Sequence, residues 1–271
     1  MFYPSIRTKN YSVKGIKGKT SGLSPQRLRS IVRLGSLTST ERAFPKSFGR
    51  RKIVEINTTE AIENSRSKIR MKEAFDEAEI SHSRWQLIDK PLNKDIFNYP
   101  LIIKRVFGFK GRGMLFIESE EEFQDAIKSI SPENYIVETY HNYNREYRLH
   151  CTLEGCFYTC RKMLKETAEN RWMRNDSNCA WMLEDNPLFN KPINWNIIEE
   201  HCIRGLKATG LDIGAFDVKV QSAKTKEGEI ISQPKFIIIE VNSAPAFGDV
   251  TAIKYKAALN NLISKKIDNI L

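Results

Sequence analysis

In the stretch FIIIEVNSAP, residues 236–245, four apolar residues enter a sheet and Glu240 and Asn242 then stand two apart. On a strand that spacing sends both side chains from one face. A carboxylate and an amide oxygen side by side could hold a hard cation. Pro245 and Gly248 end the strand, which puts the pair at the open edge of a sheet, where α/β proteins bind ligands. Taken alone, a solvated carboxylate on an edge strand explains the pair equally well. Lys104 raises a second question, because it sits among Leu101, Ile102 and Ile103 in a strand that is buried by composition. If it points inward it needs an anionic partner; an edge-facing or snorkelling lysine is the plainer reading. Directly after it, GFKGRG (residues 108–113) supplies Gly108, Gly111 and Gly113 with Lys110 and Arg112. This is not the phosphate loop that opens a helix with Gly-Lys-Ser/Thr. A flexible hairpin with backbone N–H groups and two cations could still close over a polyphosphate.

The elements that must position these residues can be read in order. Residues 1–26 have no period and are expected to be irregular, and residues 28–35 and 53–56 read as short strands. Thr58 or Thr59 can cap a helix whose apolar positions recur through residues 65–79, with Lys68 on it or at its start. Residues 101–106 and 114–117 flank the glycine hairpin, and Ser119 with Glu122 forms a capping box for the next helix. Residues 134–140 (NYIVETY) return as a strand, and residues 146–152 pair through the Glu154-Gly155 turn with residues 156–163. That hairpin places Arg148 and Lys162 on neighbouring strands. Residues 165–186 lack a clean period and suit a loop over a site. Residues 195–209 are helical in pattern with Gly210 at the end, and residues 215–220 form a strand carrying Asp217. Asp249 is expected to cap a terminal helix.

The chain has 271 residues, 41% hydrophobic and 10% aromatic, enough for a full core as one large domain or two to three lobes. No apolar run reaches the roughly 20 residues of a membrane span, and residues 1–10 lack a signal peptide's apolar segment. A cytoplasmic protein is the expectation, host cytoplasm if the chain is viral. Cys151, Cys156, Cys160, Cys179 and Cys202 contain no CxxC pair, so they read as reduced, mostly buried thiols. The formal net charge of +10 is uneven: residues 1–52 hold 13 Lys and Arg against Glu41, a net of +12, and the remainder is −2. Such an arm could contact an acidic partner or nucleic acid, or be a solvated leader.

The order of features is lysine strand, glycine hairpin, helix, connecting strand, Glu-x-Arg hairpin, Asp strand and Glu-x-Asn strand. With the motifs PLIIKRVFGFKGRGM, YIVETY, EYRLH, GAFDVKV and IIEVNSAP, it resembles the ATP-grasp superfamily of carboxylate–amine ligases. The match runs from about residue 65 to about residue 248. EYR before a hairpin is similar to the ligases that add amino acids to peptides or proteins, such as the ribosomal-protein glutamate ligase. Ala61, Ile62, Ser65 and Lys68 resemble the spacing of short bacteriophage ligases. The resemblance implies an α+β fold whose two lobes sandwich a nucleotide: a basic arm and shortened first lobe over 1–90, a lid subdomain over 91–140, and a C-terminal subdomain over 141–271. It implies that Lys68 and Lys104 hold the ATP phosphates under the Gly108, Lys110, Gly111 and Gly113 hairpin, and that hinge backbone at Glu138, Thr139 and Tyr140 reads adenine. Glu146 would bond the ribose and Lys162 would face the nucleotide. Asp217, Glu240 and Asn242 would hold Mg²⁺, with Mn²⁺ as a substitute, and Arg148, Arg174 and Asn175 would face the transferred phosphoryl group. The implied reaction forms an amide or peptide bond through an acyl phosphate, on unknown carboxylate and amine substrates, with protein, peptide and metabolite all open as the acceptor and peptide or protein suggested by the glutamate-ligase likeness. The alternative is an ATP-grasp-shaped structural or regulatory protein that docks through residues 1–52. Two departures stand out: the first lobe is short, and Glu138-Thr139 replaces the more usual Gln-Glu.

Overall fold

A computed structural model describes residues 5–8, 28–39, 52–108, 111–175, 177–246 and 248–269; Lys110 and most of the basic arm lie outside them. The described chain forms three sheets. The first is parallel, in the order β1 (Ser5–Thr8), β2 (Leu28–Leu34), β3 (Lys52–Ile56). Residues 5–8, expected to be irregular, instead pair with residues 31–34 of β2; a four-residue strand leaves too little pattern for a period of two to be seen.

Two helices follow where one was expected. α1 (Thr59–Arg66) is capped by Thr58, whose hydroxyl accepts from the Ala61 amide. It stops at Ser67, which is extended (φ −83°, ψ 116°). The Ser67 amide closes α1 onto the Glu63 carbonyl, while its side chain caps α2 (Lys68–Glu77) through the Arg70 amide. One serine thus ends one helix and starts the next, and Lys68 becomes the first residue of α2.

The second sheet is antiparallel in the order β4 (Trp85–Leu87), β7 (Tyr135–Thr139), β5 (Leu101–Arg105), β6 (Leu115–Ile117). α3 (Glu120–Lys128), capped by Ser119, covers it by burying Phe123 against Leu101, Ile103 and Val137. The third sheet, β10-β9-β8-β11-β12, is also antiparallel. It comprises β8 (Arg145–Thr152), β9 (Gly155–Leu164), β10 (Cys179–Leu183), β11 (Ile213–Val220) and β12 (Phe236–Asn242). β4 and β10 were not foreseen: three residues are too few for a period, and β10 lies within the stretch read as loop.

α4 (Trp195–Thr209) lies across the back of the third sheet, where Ile198, Cys202 and Leu206 meet Tyr147, Phe216 and Val218. Gly205 permits that approach, since a Cβ there would stand 2.8 Å from a Phe216 ring carbon. α5 (Asp249–Asp268) brings Tyr255, Leu259 and Ile263 onto Val32, Val54 and Ile56 of the parallel sheet. Asp249 is its first helical residue rather than its cap. Cys151 and Cys156 face each other across the β8–β9 hairpin and form a disulfide, which corrects the expectation of five thiols; Cys160, Cys179 and Cys202 are free and buried.

Candidate active site

Lys104 points inward and has the partner that its position demanded. Ile102 on β5 stands opposite Glu138 on β7, so Lys104, two residues on and on the same face, reaches diagonally to the carboxylate, with Nζ 2.7 Å from Oε2. The other oxygen faces Lys72 Nζ at 3.4 Å, a Coulombic contact rather than an aligned hydrogen bond. Lys72 is fully buried and lies one turn beyond Lys68, on the same face of α2. Burial alone would raise the Glu138 pKa, but Lys104 and Lys72 outweigh it and hold the carboxyl at about 2. Burial pulls Lys72 down to about 8 against the opposing attraction of Glu138. Lys68 sits nearer the third sheet, with Nζ 3.7 Å from Glu240 Oε2 and 3.5 Å from the Gly108 carbonyl. Its amide donates to the Val106 carbonyl at 3.0 Å, which fastens the start of α2 to the end of β5.

The second half of the site is one face of the third sheet. The ladder sets Glu146 opposite Lys162 and Lys219, Arg148 opposite Asp217, and Asp217 opposite Glu240. Arg148 grips Asp217 with two nitrogens, Nε at 2.7 Å and Nη2 at 2.9 Å, a bidentate geometry that fixes both groups. Lys162 bridges Glu146 at 2.7 Å and Asp217 at 3.0 Å. Asp217 is buried, yet Arg148 and Lys162 outweigh desolvation and hold its carboxyl well below the usual range. Trp181 on β10 lies 4.9 Å from the Arg148 guanidinium and 5.5 Å from Lys162 Nζ, measured to the ring centre.

Lys219, two residues after Asp217, lies 4.9 Å from the centre of the Tyr140 ring, and burial lowers it to about 8. Tyr140 in turn meets Phe116 edge-on, and Trp172 stacks on Phe116 at 5.3 Å. Gly111, in the left-handed region at φ +71°, comes so close to Met173 that a Cβ there would collide with the sulfur. The stretch around residues 172–173 thus touches both the glycine hairpin and the sheet that carries it.

Most groups named from sequence come together. Lys68, Lys104 and Glu138 form one end of the site. Glu146, Arg148, Lys162, Asp217, Glu240 and Asn242 form the other, and Gly108 and Gly111 lie at the hairpin. Gly113 (φ +70°) lies against the Arg105 side chain. Arg174 reaches Glu146 at 3.9 Å, and its buried Nε has no partner. Asn175 is not brought to the cluster, because its side-chain oxygen accepts from the Ser177 amide and hydroxyl and from the Asn178 amide, building a turn. At the hinge, the Thr139 amide donates to the Arg84 carbonyl and the Tyr140 amide to the Pro100 carbonyl. Those two donors are therefore engaged. Lys72, Lys219 and Trp181 were missed. A second lysine at i+4 from Lys68, and a lysine two residues past Asp217, were the signals available.

The site offers Mg²⁺ oxygen donors but, among the described residues, no cluster of three carboxylates. Asn242 Nδ2 donates to Glu240 Oε1 at 3.1 Å, which leaves the Asn242 carbonyl oxygen and Glu240 as hard oxygen donors beside Asp217, whose two oxygens are already engaged by Arg148 and Lys162. Among the described residues, no three His, Cys, Asp or Glu side chains are grouped closely enough to hold a metal. Seven cations (Lys68, Lys72, Lys104, Arg148, Lys162, Arg174 and Lys219) also outnumber four carboxylates (Glu138, Glu146, Asp217 and Glu240) by three. That balance favours a polyanion, and a divalent cation arriving together with one.

No protein-family model matches the chain, and no curated protein matches it in sequence. Solved structures do match in shape. The D-alanine–D-alanine ligase from Bacillus anthracis aligns over 88% of this chain and 80% of its own with a TM-score of 0.61 at 14% identity. The VanG D-Ala:D-Ser ligase from Enterococcus faecalis aligns over 89% and 73% with a TM-score of 0.59 at 18% identity. The ATP-grasp ligase PsnB, in complex with a minimal precursor, aligns over 87% and 78% with a TM-score of 0.58 at 16% identity. The fold is therefore α+β and of the ATP-grasp type.

Proposed function

We propose that this chain is an ADP-forming ligase that activates a carboxylate with ATP and joins it to an amine. The observation that carries the reading is the convergence of Lys68, Lys72 and Lys104 from one side with Arg148, Lys162 and Asp217 from the other, around Glu240 and Asn242. A carboxylate is a poor electrophile, so the γ-phosphoryl group is first moved onto it, and an amine then displaces phosphate. Lys68 and Lys104 bind the phosphates, and Gly108 and Gly111 close over them. Asp217, Glu240 and Asn242 would hold Mg²⁺, which neutralises phosphate charge when bound there. Arg148, held rigid by Asp217, faces the oxygens on which charge develops, and the unpartnered Arg174 Nε supplies a second donor. Tyr140 and Phe116 form the aromatic surface for adenine, with the Thr139 and Tyr140 carbonyls left to read its edge. Glu146, steadied by Lys162, takes the ribose. Closure by the glycine hairpin shields an acyl phosphate from water.

One substrate is read as peptide or protein, supported by the Glu146-Tyr147-Arg148 hairpin and by the likeness to PsnB. The test is incubation with ATP, Mg²⁺ and a peptide and amino-acid panel, reading ADP and the mass of the product. An amide-forming mass gain matched by ADP release is expected. ATP turnover with no covalent product, or no ADP with any carboxylate, would contradict the assignment.

A further inference from the structure

Lys219 differs from the other lysines of the site. Lys68, Lys72, Lys104 and Lys162 each have a carboxylate in ion-pair range, whereas Lys219 has none among the described residues. Glu146 stands opposite it in the ladder, but that carboxylate is bound to Lys162 at 2.7 Å and faces Arg174 at 3.9 Å. Among the described residues, Lys219 Nζ makes one hydrogen-bond contact, to the His141 carbonyl at 3.5 Å, the far limit of such a bond. That oxygen already accepts from the Tyr143 amide at 2.8 Å. Lys219 is only 9% exposed, and a desolvated ammonium whose three donors are mostly unused costs free energy that a bound acceptor would offset.

Its place in the sheet says which part of a ligand would supply that acceptor. Lys219 lies two residues past Asp217 on the same face of β11, level with Glu146, the residue assigned to the ribose. Its Nζ is 4.9 Å from the centre of the Tyr140 ring, the surface assigned to the base. The acceptor therefore belongs to the base rather than to the phosphates.

Purines differ in what they present to a lysine. A 6-oxopurine sets O6 beside N7, two acceptors within reach of one ammonium, whereas adenine sets an amino donor beside N7. The hinge points the same way. The Thr139 and Tyr140 amides are spent on the Arg84 and Pro100 carbonyls, so at those two residues a base meets carbonyl acceptors. The N1–H and N2–H groups of guanine suit acceptors, while N1 of adenine needs a donor.

We propose that Lys219 is a base-specificity residue and that the site takes a 6-oxopurine nucleoside triphosphate, such as GTP or ITP, as well as ATP. The proposal rests on the ligase reading for where the nucleotide lies and goes beyond it in which nucleotide is used.

The test is calorimetric titration of the full chain, with Mg²⁺ and without turnover, using ATP, GTP and 2-aminopurine riboside triphosphate, which lacks the O6 of GTP. Wild type should bind GTP at least as tightly as ATP and should lose about tenfold in affinity when O6 is removed. In Lys219→Met, which keeps the stem but not the donors, GTP and the analogue should bind alike. The wild-type comparison stands by itself if that variant does not fold. GTP bound more weakly than ATP, no loss on removing O6, or the same loss in wild type and Lys219→Met would overturn the proposal and leave the ligase reading standing. Binding of neither ATP nor GTP would overturn both.

Discussion

Glu138 shows how much one residue can decide. Its carboxylate is shared by Lys104 and Lys72, the second of which has no exposure at all. Removing one partner of a buried charge cluster strands the others, at about 3–5 kcal/mol. Glu138→Gln should therefore lose stability of that order at neutral pH, measured by urea unfolding, and should weaken ATP binding by displacing Lys104. The pH dependence has a definite sign. Glu138 has a folded pKa of about 2, below its ordinary 4.5, so its stabilisation is complete above 4.5 and fades as pH falls towards 2. The acid limb of wild-type stability should be steeper over that window than that of Glu138→Gln; equal limbs would contradict the pairing. The sequence did show that an inward Lys104 needs an anion. Which anion depends on the β5–β7 register, and one residue of slip would have turned Glu138 to the other face.

At the scale of elements, the site depends on two short interruptions. Ser67 breaks a helix to make Lys68 the first residue of α2, and the glycine hairpin brings Gly111 against Met173. Gly111→Ala faces both a positive φ and a steric collision. It should lower ATP affinity and turnover at least several-fold, with a loss of unfolding free energy of about 1–2 kcal/mol from the left-handed backbone. A loss of stability with unchanged ATP affinity would instead make the hairpin a structural element. The Thr58 and Ser119 caps, the hairpins and the Asp and Glu-x-Asn strands were legible because each rests on local spacing, whereas the Ser67 cap and the start of the last helix were not. β10 was not, since its alternation emerges only beside β9, and with it went Trp181, whose contacts with Arg148 and Lys162 cross three strands.

Across the whole molecule, Asn57 joins the parallel sheet to the third sheet. It is fully buried with φ 57°, a conformation asparagine tolerates better than most residues. Its side chain donates to the Arg33 and Ile213 carbonyls and accepts from the Asp212 and Ile213 amides, while its own amide donates to Asp212 Oδ2 at 2.7 Å. Asn57→Ala leaves several of these groups unpaired and should cost at least about 2 kcal/mol in urea unfolding. Such long-range pairs have no signature in sequence, and neither does the Cys151–Cys156 disulfide, whose partners meet only through the hairpin register. The same assembly sets Glu240 beside Lys68 and opposite Asp217, and under the proposed function the excess of cations there would make metal and nucleotide binding interdependent. The most direct measurement is calorimetric titration of ATP into wild type and Glu240→Gln, with and without Mg²⁺, together with ADP release in the presence of the peptide and amino-acid panel. Wild type should bind ATP tightly only with Mg²⁺, and Glu240→Gln should lose that Mg²⁺ dependence and on the order of 10²-fold in turnover. Identical Mg²⁺-dependent affinity and turnover in the two proteins would contradict the site.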